Sequence, residues 1–181
     1  DERYMDEVYG RTSGEKAQEW GWVGPDVWYA HAVQLNESDM DIVARTGTAI
    51  AHCPNSNMFL ASGCCPVTPL LRKGATVGLG VDGSASNNSS NLLDEVRNAL
   101  LLQRVHYGAG AMSPTQALEV ATLGSARLLG RDDIGNLAPG MAADLIAINV
   151  NRLPFAGGLH DPVAALVLCD AGTVDLNIVN G

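Results

Sequence analysis

The chain has 181 residues, of which 46% are apolar and 17% charged, and its formal net charge is −9. This is the composition of a folded chain rather than of a disordered one. The acidic excess argues against binding to a nucleic-acid backbone, and the presence of only two lysines argues against a polybasic membrane-binding patch. No apolar run approaches the ~18 residues of a membrane-spanning helix. The length allows one domain, or one domain with part of another.

Apolar segments alternate with helical segments along the first 107 residues. Strands are predicted at 27–33, 48–53 and 76–82. Helices are predicted at 1–20 with a break near Gly10, and at 38–45, 66–73 and 92–107, whereas 54–63 is predicted as a loop. All three strands are apolar on both faces. We therefore expect a parallel sheet that helices cover on both sides.

The pattern changes after residue 107. Ser113 precedes Pro114, a pair typical of a helix start, and the helical pattern continues to about residue 129. Beyond it, turn-rich stretches separate three strand-like segments at 144–150, 163–169 and 174–179. We predict two units: residues 1–130 as an α/β part, and residues 131–181 as part of a small β-rich domain.

The four cysteines match no known metal or redox spacing. Cys53, Cys64, Cys65 and Cys169 form neither a C-x-x-C pair nor a zinc-finger pattern. We therefore expect free thiols and a reducing, cytoplasmic compartment.

A polar residue stands at or near the carboxyl end of each predicted strand. These residues are His31, His52 and Asp82. In α/β barrels the active site is built at that end of the strands. An aspartate there is costly to desolvate unless a metal ion or a protonated partner pairs with it. Taken singly, each residue also fits a structural role, as a core histidine or as an aspartate that caps the following loop.

Other catalytic patterns fit poorly. Residues 78–83 match G-x-G-x-x-G, but Asp82 would place a negative charge beside the phosphates, and the next helix starts only near residue 92. The chain also lacks the H-x-E and P-C-x-x-C motifs of cytidine-deaminase-type zinc sites and the G-x-S-x-G nucleophile elbow.

Four stretches resemble the amidohydrolase superfamily, and within it the deaminase branch that includes guanine deaminases, cytosine deaminases and triazine hydrolases. They are residues 28–31, 51–57, 78–83 and 135–145. The resemblance implies an α/β fold that comprises strands 6–8 of a metal-dependent (β/α)₈ barrel, followed by part of a small β-sandwich domain. It also implies one divalent metal, with zinc preferred and iron as the alternative.

The resemblance assigns roles to the residues at the strand ends. His31 matches a strand 6 histidine that contacts the water activated by the metal, and Asp82 matches the strand 8 aspartate that ligates the metal. These two are the expected catalytic residues, and Asp82 is the expected metal ligand. The residues expected to bind substrate are His52 in the strand 7 motif, with Asn55, Asn57 and Ser84 in the following loops.

The family's remaining metal ligands do not occur in these 181 residues. There is no His-x-His pair and no histidine followed three residues later by glutamate. We therefore expect a carboxyl-terminal part that begins after strand 5. An inactive fragment is one alternative.

For the complete enzyme, the resemblance implies hydrolytic removal of ammonia from a purine such as 8-oxoguanine or guanine. An amino-s-triazine is the alternative substrate. The expected partner is therefore a small heterocyclic molecule, with no nucleic acid and no membrane, and a homo-oligomer is left open.

Overall fold

The computed structural model describes residues 2–181. In its first part, the helices and strands alternate as α1 (Glu2–Tyr9), α2 (Ser13–Glu19), β1 (Trp28–Ala30), α3 (Glu37–Thr46), β2 (Ala49–His52), α4 (Pro54–Phe59), α5 (Val67–Arg72), β3 (Val77–Leu79) and α6 (Leu92–Tyr107). The second part contains α7 (Pro114–Glu119), a π-helical turn (Val120–Gly124), α8 (Ser125–Leu128), β4 (Leu145–Ala147), a 3₁₀ turn (Leu153–Phe155), α9 (Pro162–Leu168) and β5 (Leu176–Ile178).

The first three strands form one sheet in the order β1-β2-β3, and both pairs are parallel, as predicted. Every residue of β2 and β3 is buried. The expectation of burial on both faces is wrong for β1, where the Trp28 side chain is exposed. β1 lies at the edge of the sheet formed by the described residues, so its apolar side chains are covered less completely than those of β2.

The core lies between the sheet and helices α3, α5 and α6. Ile50 of β2 and Val77 of β3 contribute from the sheet, and Val43, Leu70 and Leu100 contribute from the helices. Each of these side chains is at most 1% exposed. Fully burying such a side chain is worth roughly 1.5–3 kcal/mol, so this packing fixes the sheet whose carboxyl ends carry the polar residues.

Two predictions of local structure are wrong, and proline accounts for both. Residues 54–63 begin with helix α4 rather than with a loop, because Pro54 takes the first helical position, where a missing N–H is no loss. The apolar run 163–169 lies mostly in helix α9 rather than in a strand. Pro162 again starts the helix, and the Asp161 side chain caps it by accepting a hydrogen bond from the Ala164 N–H.

The remaining strands, β4 and β5, form a two-stranded antiparallel sheet. This agrees with two of the three strands predicted after residue 131, whereas the division at residue 130 and the β-sandwich stay predictions. Within residues 2–181, no helix combines the length and the apolar character needed to cross a membrane.

The helical stretch after Ser113 packs closely against β3. Ser113 caps α7 and Pro114 begins it, as predicted, but the helix widens into a π-helical turn at Val120–Gly124. Just beyond this turn, the Ser125 hydroxyl accepts a hydrogen bond from the Leu79 N–H, 3.1 Å away. The stretch thereby satisfies a backbone donor of β3, the strand that leads to Asp82.

Candidate active site

The sheet brings two of the predicted site residues together. His31 follows β1 and Asp82 follows β3, and their Nε2 and Oδ2 atoms lie 3.6 Å apart. Both side chains are about one-third exposed, at 37% for His31 and 33% for Asp82. A solvent-accessible imidazole and carboxylate therefore meet at the carboxyl end of the sheet.

Both residues have an unusual backbone conformation. His31 has a φ of 66° and Asp82 a φ of 60°, in the left-handed region that non-glycine residues rarely adopt. This conformation costs roughly 1–2 kcal/mol per residue, and such residues cluster at functional sites. Their occurrence at the ends of two strands of one sheet marks this edge as a candidate active site.

Two serine hydroxyls hold the Asp82 carboxylate. Ser56 of α4 and Ser86 of the β3–α6 loop both donate hydrogen bonds to Oδ2, at 2.6 and 2.9 Å. The Ser56 hydroxyl, the Gly83 N–H and the Ser86 hydroxyl hold the pKa of Asp82 below its usual range. Asp82 is therefore ionised at neutral pH, as a metal ligand must be.

Asn57 orients the His31 ring. Its Oδ1 lies 2.8 Å from His31 Nδ1, and an amide oxygen can only accept a hydrogen bond. His31 Nδ1 therefore donates this hydrogen bond, and Nε2 lies on the side of Asp82. Asn57 is 1% exposed, so its observed role is to hold His31, whereas its role toward substrate stays a prediction.

His52, at the end of β2, is fully buried. Among the described residues, neither ring nitrogen has a hydrogen-bond partner, and Asn57 Nδ2 also lacks one. Burial lowers the pKa of His52 to about 3, and the nearby His31 acts in the same direction. His52 is therefore neutral at physiological pH, and its predicted contact with substrate stays untested.

The buried imidazole should make stability depend on pH. Between about pH 6.5 and 3 the unfolded chain binds a proton at this position and the folded chain does not, so folding stability falls as the pH is lowered. Replacing His52 with leucine should reduce the loss of unfolding free energy between pH 7 and pH 5, as measured by urea denaturation. The exposed His106→Gln variant is the control, and an equal loss in wild type and His52→Leu would contradict the prediction.

Among the described residues, the other two predicted substrate-binding residues, Asn55 and Ser84, make no side-chain hydrogen bond to the Asp82 carboxylate. The Asn55 N–H donates to Glu95, and the Asn55 side chain accepts a hydrogen bond from Asn98 of α6. Ser84 is exposed, and within residues 2–181 its hydroxyl makes no hydrogen bond to the Asp82 cluster. The substrate roles of Asn55 and Ser84 stay predictions.

Sequence reasoning missed the residues that support Asp82. The overlooked residues are Ser56 and Glu95, whereas Ser86 and Asn87 lie in the 84–88 loop that was expected to line the pocket. Glu95 lies on α6, is fully buried, and burial raises its pKa to about 7. A glutamate in the first turn of a helix is ordinarily a solvated partner of the helix dipole, so nothing in the sequence marked its burial.

The donor set fits part of a metal site. Among residues 2–181, no three His, Cys, Asp or Glu side chains form a group that could hold a metal ion. Asp82 offers a carboxylate that could ligate a metal, and His31 Nε2 lies 3.6 Å from it, on the side where a metal-bound water would be. This arrangement is compatible with one side of a divalent metal site, which would need ligands beyond those among residues 2–181.

The model of the amidohydrolase family matches residues 3–181. This chain belongs to the amidohydrolase family. It is 53% identical over 161 residues to the 8-oxoguanine deaminase of Pseudomonas aeruginosa, an alignment that covers 89% of the chain and 36% of the relative. It is 46% identical over 175 residues to a 5-methylthioadenosine/S-adenosylhomocysteine deaminase of Pelotomaculum thermopropionicum, covering 96% and 40%. A third amidohydrolase relative, the hydroxydechloroatrazine ethylaminohydrolase of Pseudomonas sp., is 39% identical over 176 residues, covering 93% and 37%.

Solved structures show the same fold. The zinc-bound adenosine deaminase of Xanthomonas campestris superposes with a TM-score of 0.94 at 32% identity, covering 99% of this chain and 42% of that one. The zinc complex of an atrazine chlorohydrolase from Arthrobacter aurescens superposes with a TM-score of 0.93 at 35% identity, covering 100% and 41%. The chain thus spans about two fifths of the length of the amidohydrolases that it matches.

Proposed function

We propose that this chain is the carboxyl-terminal part of a metal-dependent hydrolytic deaminase. In this proposal, residues 1–130 supply strands 6–8 of a (β/α)₈ barrel and residues 131–181 enter a small β-sandwich domain. The observation that carries the proposal is the pairing of His31 with an ionised Asp82 at the carboxyl end of a parallel sheet. The term complete protein means, from here on, this chain together with the residues that hold the other metal ligands.

The metal, zinc or iron, would lower the pKa of a bound water toward 7 and so provide a nucleophile at neutral pH. Asp82 would act as one ligand, held in place by Ser56 and Ser86. His31 would orient the attacking water through Nε2 and take up or return a proton as the attacked carbon becomes tetrahedral. Water adds its oxygen to that carbon, the C–N bond breaks, and ammonia leaves with the transferred protons.

A purine such as 8-oxoguanine or guanine is the proposed substrate. The support is the 53% identity to an 8-oxoguanine deaminase, over a segment that includes all of the site residues described above. An amino-s-triazine is the second candidate, supported by the resemblance to the triazine-degrading relatives. Both are flat heterocycles with an amidine carbon, so the same residues can serve either reaction.

Release of ammonia from 8-oxoguanine, guanine and 5-methylthioadenosine, and of ethylamine from hydroxyatrazine, tests the function. The complete zinc-loaded protein is expected to turn over 8-oxoguanine with the highest kcat/KM, whereas residues 1–181 alone should be inactive. Placing this chain in the corresponding segment of the Pseudomonas aeruginosa enzyme should preserve 8-oxoguanine turnover. Turnover by the chain alone, or release of neither ammonia nor ethylamine from these substrates by the complete protein, would overturn the proposal.

A further inference from the structure

Glu95 is a fully buried carboxylate that connects two separate segments of the site. Its Oε2 accepts a hydrogen bond from the Asn55 N–H at 3.1 Å, and its Oε1 accepts one from Asn87 Nδ2 at 2.5 Å. Asn55 lies at the start of α4, whereas Asn87 lies in the loop between β3 and α6. One side chain of α6 therefore holds both segments.

Each of these two partners is the chain neighbour of a serine that holds Asp82. Asn55 precedes Ser56, and Asn87 follows Ser86. The two serine hydroxyls lie 2.9 Å apart and both donate to Asp82 Oδ2. Each oxygen of Glu95 therefore binds the chain neighbour of one of the two serines whose hydroxyls hold the Asp82 carboxylate.

The Asn87 side chain also holds the backbone that leads to Asp82. Its Nδ2 donates a second hydrogen bond, at 2.8 Å, to the carbonyl oxygen of Val81. Asn87 is 4% exposed, so water does not readily replace these contacts. The peptide that precedes Asp82 is therefore fixed by the same amide group that binds Glu95.

Packing alone does not explain a glutamate at this position. Burying a carboxylate is costly, and within residues 2–181 no lysine or arginine forms an ion pair with Glu95. An apolar side chain would fill the same space on α6 without that cost. What the carboxylate adds is two acceptor oxygens, one for each segment.

We propose that Glu95 is a positioning residue that sets the affinity of the Asp82 carboxylate for the metal by holding Ser56 and Ser86 in place. The inference rests on the function proposed above, in which Asp82 is a metal ligand. Hydrogen-bond partners of metal ligands typically contribute 10–100-fold to metal affinity. Glu95 acts one step further out, through the backbone of the two serines.

Glu95→Gln in the complete protein tests this role. Glutamine has nearly the same shape but only one acceptor oxygen, so its amide nitrogen must face either the Asn55 N–H or Asn87 Nδ2, and one hydrogen bond is lost. The dissociation constant for zinc, measured by competition with a chromophoric chelator, is expected to rise about 10-fold or more. With zinc in excess, kcat should fall while KM changes little, because Glu95 does not touch substrate.

Gln103→Glu is the matched control. Gln103 lies two turns further along α6, is equally buried, and also makes two hydrogen bonds through its side chain, accepting from the Thr68 N–H and donating to the Cys65 carbonyl oxygen. The Gln103→Glu variant loses the hydrogen bond to that carbonyl, so it should unfold more easily while its affinity for zinc stays that of the wild type. Equal weakening of zinc binding in both variants would attribute the effect to general destabilisation and overturn the proposal.

Glu95→Asp provides a second measurement if the glutamine variant does not fold. Aspartate keeps both acceptor oxygens but withdraws them by one methylene, so its zinc affinity should lie below that of the wild type and above that of any folded Glu95→Gln variant. Wild-type zinc affinity in both Glu95→Asp and Glu95→Gln would refute the positioning role of Glu95 but leave the proposed function standing. Absence of zinc binding in the wild-type protein would instead refute the proposed function.

Discussion

Asp82→Asn is expected to lower the zinc content of the complete protein sharply and to reduce kcat/KM for deamination by about 10³-fold or more. The amide is neutral and binds zinc poorly, and with its carbonyl oxygen placed to accept from Ser56 and Ser86 its NH₂ group takes the place of the second carboxylate oxygen, which a metal could bind. A 10³-fold loss corresponds to about 4 kcal/mol of transition-state stabilisation. Elemental analysis gives the zinc content, and ammonia release gives the rate.

His31→Ala is the comparison that separates metal binding from catalysis. His31 faces Asp82 through Nε2 but is held by Asn57 rather than by the serines. Its removal is expected to abolish turnover while most of the zinc is retained. Full zinc content and full activity in either variant would show that this edge of the sheet is not the active site.

Gly124→Ala is expected to destabilise the chain by more than about 3 kcal/mol, or to prevent folding. A Cβ atom on Gly124 would lie 2.1 Å from the carbonyl oxygen of Val77, well inside van der Waals contact. The neighbouring backbone cannot move away easily, because the Ser125 hydroxyl accepts a hydrogen bond from Leu79, which lies in β3 as Val77 does. Urea denaturation monitored by circular dichroism measures the change.

Gly110→Ala is the control for the glycine substitution itself. A Cβ atom on Gly110 would meet no atom within 4 Å. Its free energy of unfolding should stay within about 0.5 kcal/mol of the wild type. If Gly124→Ala lowers the free energy of unfolding no more than Gly110→Ala does, the close approach of the π-helical turn to β3 is not needed for stability.

The parallel sheet and the long helix α6 could be predicted because their signals are local and strong. Helix α6 spans the predicted 92–107, and the apolar runs that include Ile50 and Val77 pair as parallel strands, as expected. The π-helical turn could not be predicted, since it depends on the close approach of Gly124 to another element. The helical state of 163–169 was missed because periodicity alone does not separate a short apolar strand from a buried helix.

The candidate site could be predicted only in part, for a related reason. His31 and Asp82 stand at strand ends in the sequence, so parallel pairing predicts that they lie at the same edge of the sheet. Ser56, Ser86 and Glu95 come together only after the α4 segment, the β3–α6 loop and helix α6 have packed, at sequence separations of 30 residues or more between Ser56 and the other two. Common residue types at such separations carry no local pattern that marks them.

His31 and Asp82 have left-handed backbone conformations, so at these two positions the residue that favours stability differs from the residue that function requires. Glycine would relieve the backbone strain at either site, by up to roughly 1–2 kcal/mol, and would remove the imidazole or the carboxylate in doing so. Directed evolution of this chain for heat resistance alone would therefore favour glycine at these positions. A screen that scores only soluble, folded protein would enrich variants that have lost the site.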